Sequence, residues 1–364
     1  GRHVVYFQFD RDRFLGPHGS HLDLDADLPG IIAATGEAVT DAVRGIVRDG
    51  EAASGRVSEL AASYFPFGDT NSAERAFAAV ARARRAPLAE SRRRARIVLS
   101  SLSRRLSGSR VSRIAVPALL LAARLLPLRN EVVFEAALGR VYAGAPRAVF
   151  RELMKTHPQM PKVWAATCGI PDADAATRRV EPGSLAHVWA LARARYWVSD
   201  QSQRRGVRRR RGQVFVQTWH GTPLKRMAHD ALGHEGRDAG YLARATTAAA
   251  QWSVLVTANA HSTAAMATAF RHRARVLEVG SPNNDVLFGA QASEARRRVR
   301  AALGVPRDKA LVVFAPTFRD RALEGQAVLA PSGFIDFERF AADFGDEAVL
   351  AVRRHFLDKM PAPI

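Results

Sequence analysis

From Glu131 onward the chain repeats one pattern: a short apolar run, a polar break, then a longer stretch with apolar positions at helical spacing. The runs are Val132–Glu135, Lys162–Ala166, Tyr196–Ser199, Val214–Thr218, Ser253–Thr257, Ala274–Glu278, Leu311–Phe314 and Val349–Val352. Most are rich in Val, Leu or aromatic residues and lack polar alternation. Strands of that kind are buried on both faces, and the helical stretches between them supply the cover. The pattern predicts an α/β fold built on parallel sheets.

Upstream, Val4–Phe9 reads as another strand, followed by a loop over Asp10–Leu24 and a turn at Pro29-Gly30. Helical spacing follows over Glu37–Ala62 and Ser72–Arg85. Residues 86–130 differ. An Arg/Ser-rich helical stretch, Ser91–Arg113, leads into the apolar run Ile114–Leu126, which contains Pro117 and Arg124. That run is too short to span a bilayer. It fits either a packing helix or a helix lying in the plane of a membrane surface beside its basic neighbour.

Composition narrows the partners. Of 364 residues, 47% are hydrophobic and 24% charged, an ordinary globular balance. The single cysteine, Cys168, excludes a disulfide framework and a multi-thiolate zinc site, and reads as a small buried residue in a reducing compartment. The net charge of +19 favours a polyanionic partner: nucleic acid, an anionic membrane face or a phosphate-rich polymer. The densest basic run, Arg204–Gly212, reads as a solvated loop or as a contact for polymer or anionic lipid. Nucleic acid is disfavoured because no aromatic residues interleave with the arginines for stacking. His229, His234, His261 and His272 lack metal-ligand spacing with carboxylates, no metal is implied, and they are set aside. Trp164, Trp189, Trp197 and Trp252 read as core or helix-packing residues.

In parallel sheets, ligands gather beyond the carboxyl ends of the strands, so the residues after each run carry the chemistry. The richest end is Val214-Phe215-Val216-Gln217-Thr218-Trp219-His220-Gly221-Thr222-Pro223-Leu224-Lys225. Gly221 permits close approach of a ligand. Thr222 and Pro223 predict the cap and first residue of a helix, whose free amides and positive end would hold an anion beside His220. Lys225 adds charge, and a histidine beside a phosphate suits proton abstraction from an attacking hydroxyl. A second end, Gly280-Ser281-Pro282-Asn283-Asn284-Asp285, is by itself a turn sequence. A third, Ala315-Pro316-Thr317-Phe318-Arg319-Asp320, offers Thr317 and Arg319 to phosphate oxygens. The fourth, Arg353-Arg354-His355, offers two guanidinium groups and an imidazole to a leaving phosphate.

Those four motifs, in this order and spacing, resemble the CDP-glycerol glycerophosphotransferase family, the teichoic acid polymerases, primases and related capsule-polymer enzymes. Phe134–Tyr142 and Pro146–Phe150 resemble that family's amino-terminal entry, so the likeness runs from about 131 to 355. It implies two Rossmann-like domains as in B-type glycosyltransferases, the second truncated, with the donor between them. It further implies His220 as the base on the acceptor hydroxyl, Arg353 and His355 as donor-phosphate contacts with CMP leaving, and Pro316 and Thr317 in a donor-binding stretch. Gly221, Thr222, Pro223, Leu224, Lys225, Asn283, Asn284, Asp285, Arg319, Asp320 and Arg354 complete the expected substrate contacts. No cofactor is implied. Three departures stand out: Asn283 where the family has arginine, Phe318 where it has tryptophan, and no Asp-Tyr-Ser-Ser segment after His355.

Val4–Asp12, Leu22–Gly30 and Tyr64–Arg75 resemble the carboxy-terminal end of the same catalytic domain. The expected organisation is therefore the end of a preceding copy (1–85), a basic and apolar linker (86–130), a first Rossmann-like domain carrying His220 (131–290) and the start of a donor-binding domain (291–364). A circular permutation is the alternative. The expected activity moves a polyol phosphate, glycerol phosphate first, from a CDP-polyol to a polyanionic, lipid-linked polymer at the cytoplasmic face of the membrane. The alternatives are a ribitol-phosphate or glycosyl transferase, and a catalytically incomplete basic module that binds anionic polymer or nucleic acid.

Overall fold

The computed structural model describes residues 3–15, 19–48, 55–82, 119–120, 122–123, 125–203, 207–232, 240–315 and 336–353. The basic stretch 91–113 and the candidates Pro316, Thr317, Arg319, Asp320, Arg354 and His355 lie outside the described residues. The chain forms two compact units, 63–289 and 1–62 with 290–364. The segment 1–85 thus contributes to both.

The first unit holds seven parallel strands: β3 (Arg129–Glu135), β4 (Lys162–Ala165), β5 (Thr177–Val180), β6 (Ala194–Ser199), β7 (Val214–Gln217), β8 (Val254–Thr257) and β9 (Arg275–Glu278). Their order in the sheet is β5-β4-β3-β6-β7-β8-β9. Successive side chains divide between two cores. Val133, Trp197, Phe215 and Leu255 face one, and Val132, Phe134, Tyr196, Val198, Val216, Val254 and Val256 face the other. This two-sided burial is why the strands read as continuous apolar runs. Helices α6 (Leu185–Arg193), α7 (Tyr241–Ala249) and α8 (Ala260–Phe270) contribute to the first core. Helices α4 (Ser72–Arg82) and α5 (Gly144–Thr156) cover the second, with Ala76, Val149, Phe150 and Leu153 buried there. Trp164, Trp197 and Trp252 are buried as expected, whereas Cys168 is only half-buried.

The charge run before β7 is in part structural. Arg209 donates from Nε to the Gln251 carbonyl (2.9 Å) and from Nη1 to the Gln213 carbonyl (3.0 Å). Arg210 donates from Nη1 and Nη2 to the carbonyls of Ala123 and Leu126, both at 2.6 Å. A buried Gln213 amide donates to the carbonyls of Leu191 and Ala194, closing the turn between α6 and β6.

The second unit contains two small parallel pairs, β1 (Val5–Phe7) with β2 (Ile31–Ala33), and β10 (Ala310–Phe314) with β11 (Ala348–Val352). Its helices are α1 (Arg11–Leu15), α2 (Gly36–Val47), most of α3 (Gly55–Tyr64), α9 (Gly289–Ala302) past its first residue, and α10 (Phe337–Phe344). Arg48 joins the pairs: its Nε lies 2.9 Å from a Glu347 carboxylate oxygen, and its guanidinium sits 5.5 Å from the Phe344 ring centroid.

Candidate functional site

The strand order reverses between β3 and β6: β4 and β5 extend one way and β7, β8 and β9 the other. Such a reversal opens a crevice beyond the carboxyl ends of the two strands, the usual ligand position in this architecture. The polar residues that follow those ends are therefore the ones to place.

Beyond β3, Ala137, Leu138 and Gly139 take φ of 46°, 58° and 82° in succession. The left-handed region is costly for residues other than glycine. The turn is held from just beyond β6, where Asp200 Oδ1 accepts the Ala137 N–H at 2.9 Å. Glycine is required at 139, because a Cβ there would lie 2.2 Å from Pro182 Cγ. Asp200 is buried, and desolvation raises its pKa above the ordinary carboxylate value despite the hydrogen bond from Ala137.

His220 follows β7, the next strand over. Gln217 is fully buried; its Oε1 accepts the Trp219 N–H at 2.8 Å and its Nε2 donates to the Gln201 carbonyl at 3.1 Å. Trp219 has φ 54°, which turns the chain out of the strand direction. Its indole packs edge-on against Phe270 (5.2 Å between centroids) and stacks on the His220 ring at 4.4 Å and 22°. The His220 ring reaches solvent, yet desolvation by the surrounding protein pushes its pKa below the ordinary value of 6.5. That desolvation favours the neutral imidazole.

The helix expected from Thr222 is absent. Residues 221–227 are irregular and only a short turn forms at Ala228–Asp230. The Pro223 carbonyl, which would start the helical ladder, instead accepts from His261 Nε2 at 2.8 Å, and Ala228 sits at φ 44°. The anion site expected from free helical amides is corrected accordingly. Gly221 is outside the left-handed region, and a Cβ there would meet no described atom beyond its chain neighbours within 4 Å, so neither its backbone nor its packing demands glycine. What remains is open space beside His220.

His261, set aside on sequence grounds, thus pins the His220 loop. Its ring also meets Tyr64 edge-on at 5.7 Å, while Asn259 caps α8 and donates Nδ2 to the Tyr64 carbonyl at 2.6 Å. The Tyr64–Arg75 segment is anchored here and again beyond β9. Both Asp285 carboxylate oxygens accept the first amides of α4, Ser72 N–H at 3.1 Å and Ala73 N–H at 2.8 Å. Arg75 donates to the Val279 carbonyl and pairs with Asp69. Gly280 has φ 88°, and a Cβ there would lie 2.3 Å from Ser72 Oγ. Asn283 is exposed, and its side chain bonds to Ser281 and Asn284. The candidate loops after β7 and β9 rise from the same edge two strands apart, about 10 Å at ordinary strand spacing. Asn259, after β8, stands between them.

In the other unit, the third and fourth motifs begin at adjacent strand ends. Phe314 pairs with Val352, and the exposed Arg353 donates its backbone N–H to the Phe314 carbonyl at 2.8 Å. Asp200, Gln217, Asn259 and His261 escaped the sequence reading, although the first three are polar residues at strand ends and so carried the same signal that marked His220.

The family model for CDP-Glycerol:Poly(glycerophosphate) glycerophosphotransferase matches residues 119–363. The teichoic acid poly(glycerol phosphate) polymerase of Bacillus subtilis (strain 168) is 28% identical over 243 residues, covering 65% of this chain and 33% of that protein. Its counterpart in Bacillus spizizenii is 29% identical over 248 residues, covering 64% and 61%. The solved wall teichoic acid polymerase TagF aligns at TM-score 0.58 and 27% identity, covering 68% of this chain and 64% of that one. A histidine variant of TagF soaked with CDPG aligns at 0.60. The chain thus spans between a third and just under two thirds of these relatives. The structural likeness shows the α/β fold of B-type glycosyltransferases that the sequence suggested.

Proposed function

Because the chain belongs to the CDP-glycerol:poly(glycerophosphate) glycerophosphotransferase family across residues 119–363, we propose that the protein transfers glycerol phosphate from CDP-glycerol to the hydroxyl end of a teichoic-acid-like polymer. The acceptor oxygen attacks the phosphorus that bears the glycerol. A new P–O bond forms, the bond from that phosphorus to the bridging oxygen breaks, and CMP departs with the electron pair. His220 takes the acceptor proton. The observation that carries this reading is the placement of His220, exposed after the carboxyl end of β7, stacked on Trp219 and beside the open space at Gly221. A base must be unprotonated to act, and the partial desolvation that lowers the His220 pKa favours that form.

Arg353, Arg354 and His355 fit the role of stabilising charge on the departing phosphate, and Pro316, Thr317, Arg319 and Asp320 that of holding the donor. Asp285 is assigned to the fold, since both its oxygens are engaged by α4. Asn283 and Asn284 remain proposed donor-side contacts. The acceptor is proposed to be lipid-linked and the protein peripheral at the cytoplasmic face of the membrane. The net charge of +19 supports this, as do Leu125 and Leu126, 85% and 40% exposed beside the Arg210 anchor. No helix among the described residues is long and apolar enough to cross a membrane.

The test is CMP release from CDP-glycerol in the presence of a glycerol-phosphate-primed acceptor, with CDP-ribitol as competitor donor. Turnover with CDP-glycerol at least tenfold above CDP-ribitol is expected. Release from CDP-ribitol alone would reassign the donor, and no release from either would favour a binding module.

A further inference from the structure

Resting on the assignment of His220 as the base, we propose that Gln217 is its positioning residue, holding the left-handed turn that sets the imidazole's direction. Gln217 is the last residue of β7, and its side chain is fully buried. A buried carboxamide must satisfy donor and acceptor together or lose a desolvated polar group. Here both ends are satisfied by backbone. Oε1 takes the Trp219 N–H two residues ahead, and Nε2 reaches the Gln201 carbonyl in the loop after β6. The same carbonyl accepts from Ser199 Oγ at 3.1 Å, and Ser199 Oγ in turn accepts the Gln201 N–H. The carboxamide therefore ties the loop after β7 to a loop that is itself closed on β6.

What it ties down is a backbone conformation that does not hold itself. Trp219 at φ 54° occupies the left-handed region, which costs an ordinary residue about 1–2 kcal/mol. A strand continuing straight through Trp219 would point residue 220 elsewhere. The Trp219 indole, stacked on His220, provides a platform for the ring, but the platform's own direction is set by the same φ. Gln217 is the side chain that bonds to the Trp219 amide, and its hydrogen bonds go to backbone rather than to the imidazole. It acts on the reaction only through His220.

The full chain with Gln217→Met, which keeps volume and loses both bonds, is assayed for donor turnover per folded molecule beside wild type and His220→Ala. The His220 ring protons are titrated by NMR in the same samples. Misplacing a catalytic group by about 1 Å costs on the order of 100-fold. Gln217→Met is expected to lower kcat about 10- to 100-fold, leave KM for CDP-glycerol within about twofold, and move the His220 titration back towards 6.5 as the ring leaves its stack on Trp219. Gln217→Glu, which keeps an oxygen for the Trp219 N–H, is expected to recover part of both losses, and serves alone should the Met variant not fold. Unchanged kcat and an unchanged His220 titration in the variants overturn the proposal, as does a loss confined to thermal stability. Full activity in His220→Ala overturns the underlying base assignment instead. In that case the titration still decides whether Gln217 orients the ring.

Discussion

Asp285→Ala separates a structural carboxylate from a substrate contact at a loop that reads by itself as a turn and that the family resemblance placed among the substrate contacts. Both oxygens of Asp285 receive amides of the first turn of α4, at 3.1 and 2.8 Å, from a residue more than 200 positions away in the chain. A side-chain cap contributes about 1 kcal/mol, up to about 2, and a negative charge at a helix amino terminus adds about 0.3–1. Ser72 and Ala73 are 2% and 8% exposed, so water cannot readily replace the lost acceptor. An unsatisfied buried amide costs about 1–3 kcal/mol. Together these put the loss at roughly 2–3 kcal/mol, or a Tm lower by about 5–10 °C for a unit of this size. Asp285→Asn, with one acceptor oxygen left, loses about half of that. Differential scanning calorimetry reads the stability, and donor titration of the folded fraction reads KM. A Tm within 1 °C of wild type together with a raised KM for CDP-glycerol would falsify the capping role and return Asp285 to the donor site.

Two further outcomes follow from the geometry around His220. Gly221→Ala adds a methyl group that meets no described atom beyond its chain neighbours within 4 Å. Stability should stay within about 0.5 kcal/mol while turnover falls at least tenfold, because the methyl occupies substrate space; equal turnover would remove the ligand from that side. The pH profile of kcat/KM should hold its plateau below pH 6.5. Partial desolvation by the surrounding protein lowers the His220 pKa in the folded enzyme, so the neutral form persists until pH falls through that lowered value. An acid limb centred above 6.5 would contradict the desolvated base.

Much of this was legible in the chain because two-sided burial writes itself as apolar runs. Every run from Val132 to Val352 lies in a parallel strand, within a residue or two at the ends. The strand at Thr177-Arg178-Arg179-Val180 was missed because it is the sheet edge, where polar residues are tolerated. Tertiary contacts account for the larger differences. Thr222-Pro223 is a sound local signal for a helix start, but His261 takes the Pro223 carbonyl and the chain stays irregular. Gly280–Asp285 resembled a ligand loop, and its glycine and carboxylate serve α4, a partner that no local pattern names. The Arg204–Gly212 run looked solvated, yet Arg209 and Arg210 spend their donors on backbone carbonyls. His220 was found from its neighbours in sequence. Gln217, three residues earlier and equally visible, was read only as strand.

The measurement closest to the centre of the account is single-turnover CMP release by His220→Ala, set beside equilibrium binding of CDP-glycerol to the same protein. A base that touches only the acceptor proton predicts donor affinity within about threefold of wild type and a chemical step slowed about 100- to 10,000-fold. Release at the wild-type rate would mean that the proton leaves by another route and that His220 is not the catalytic centre.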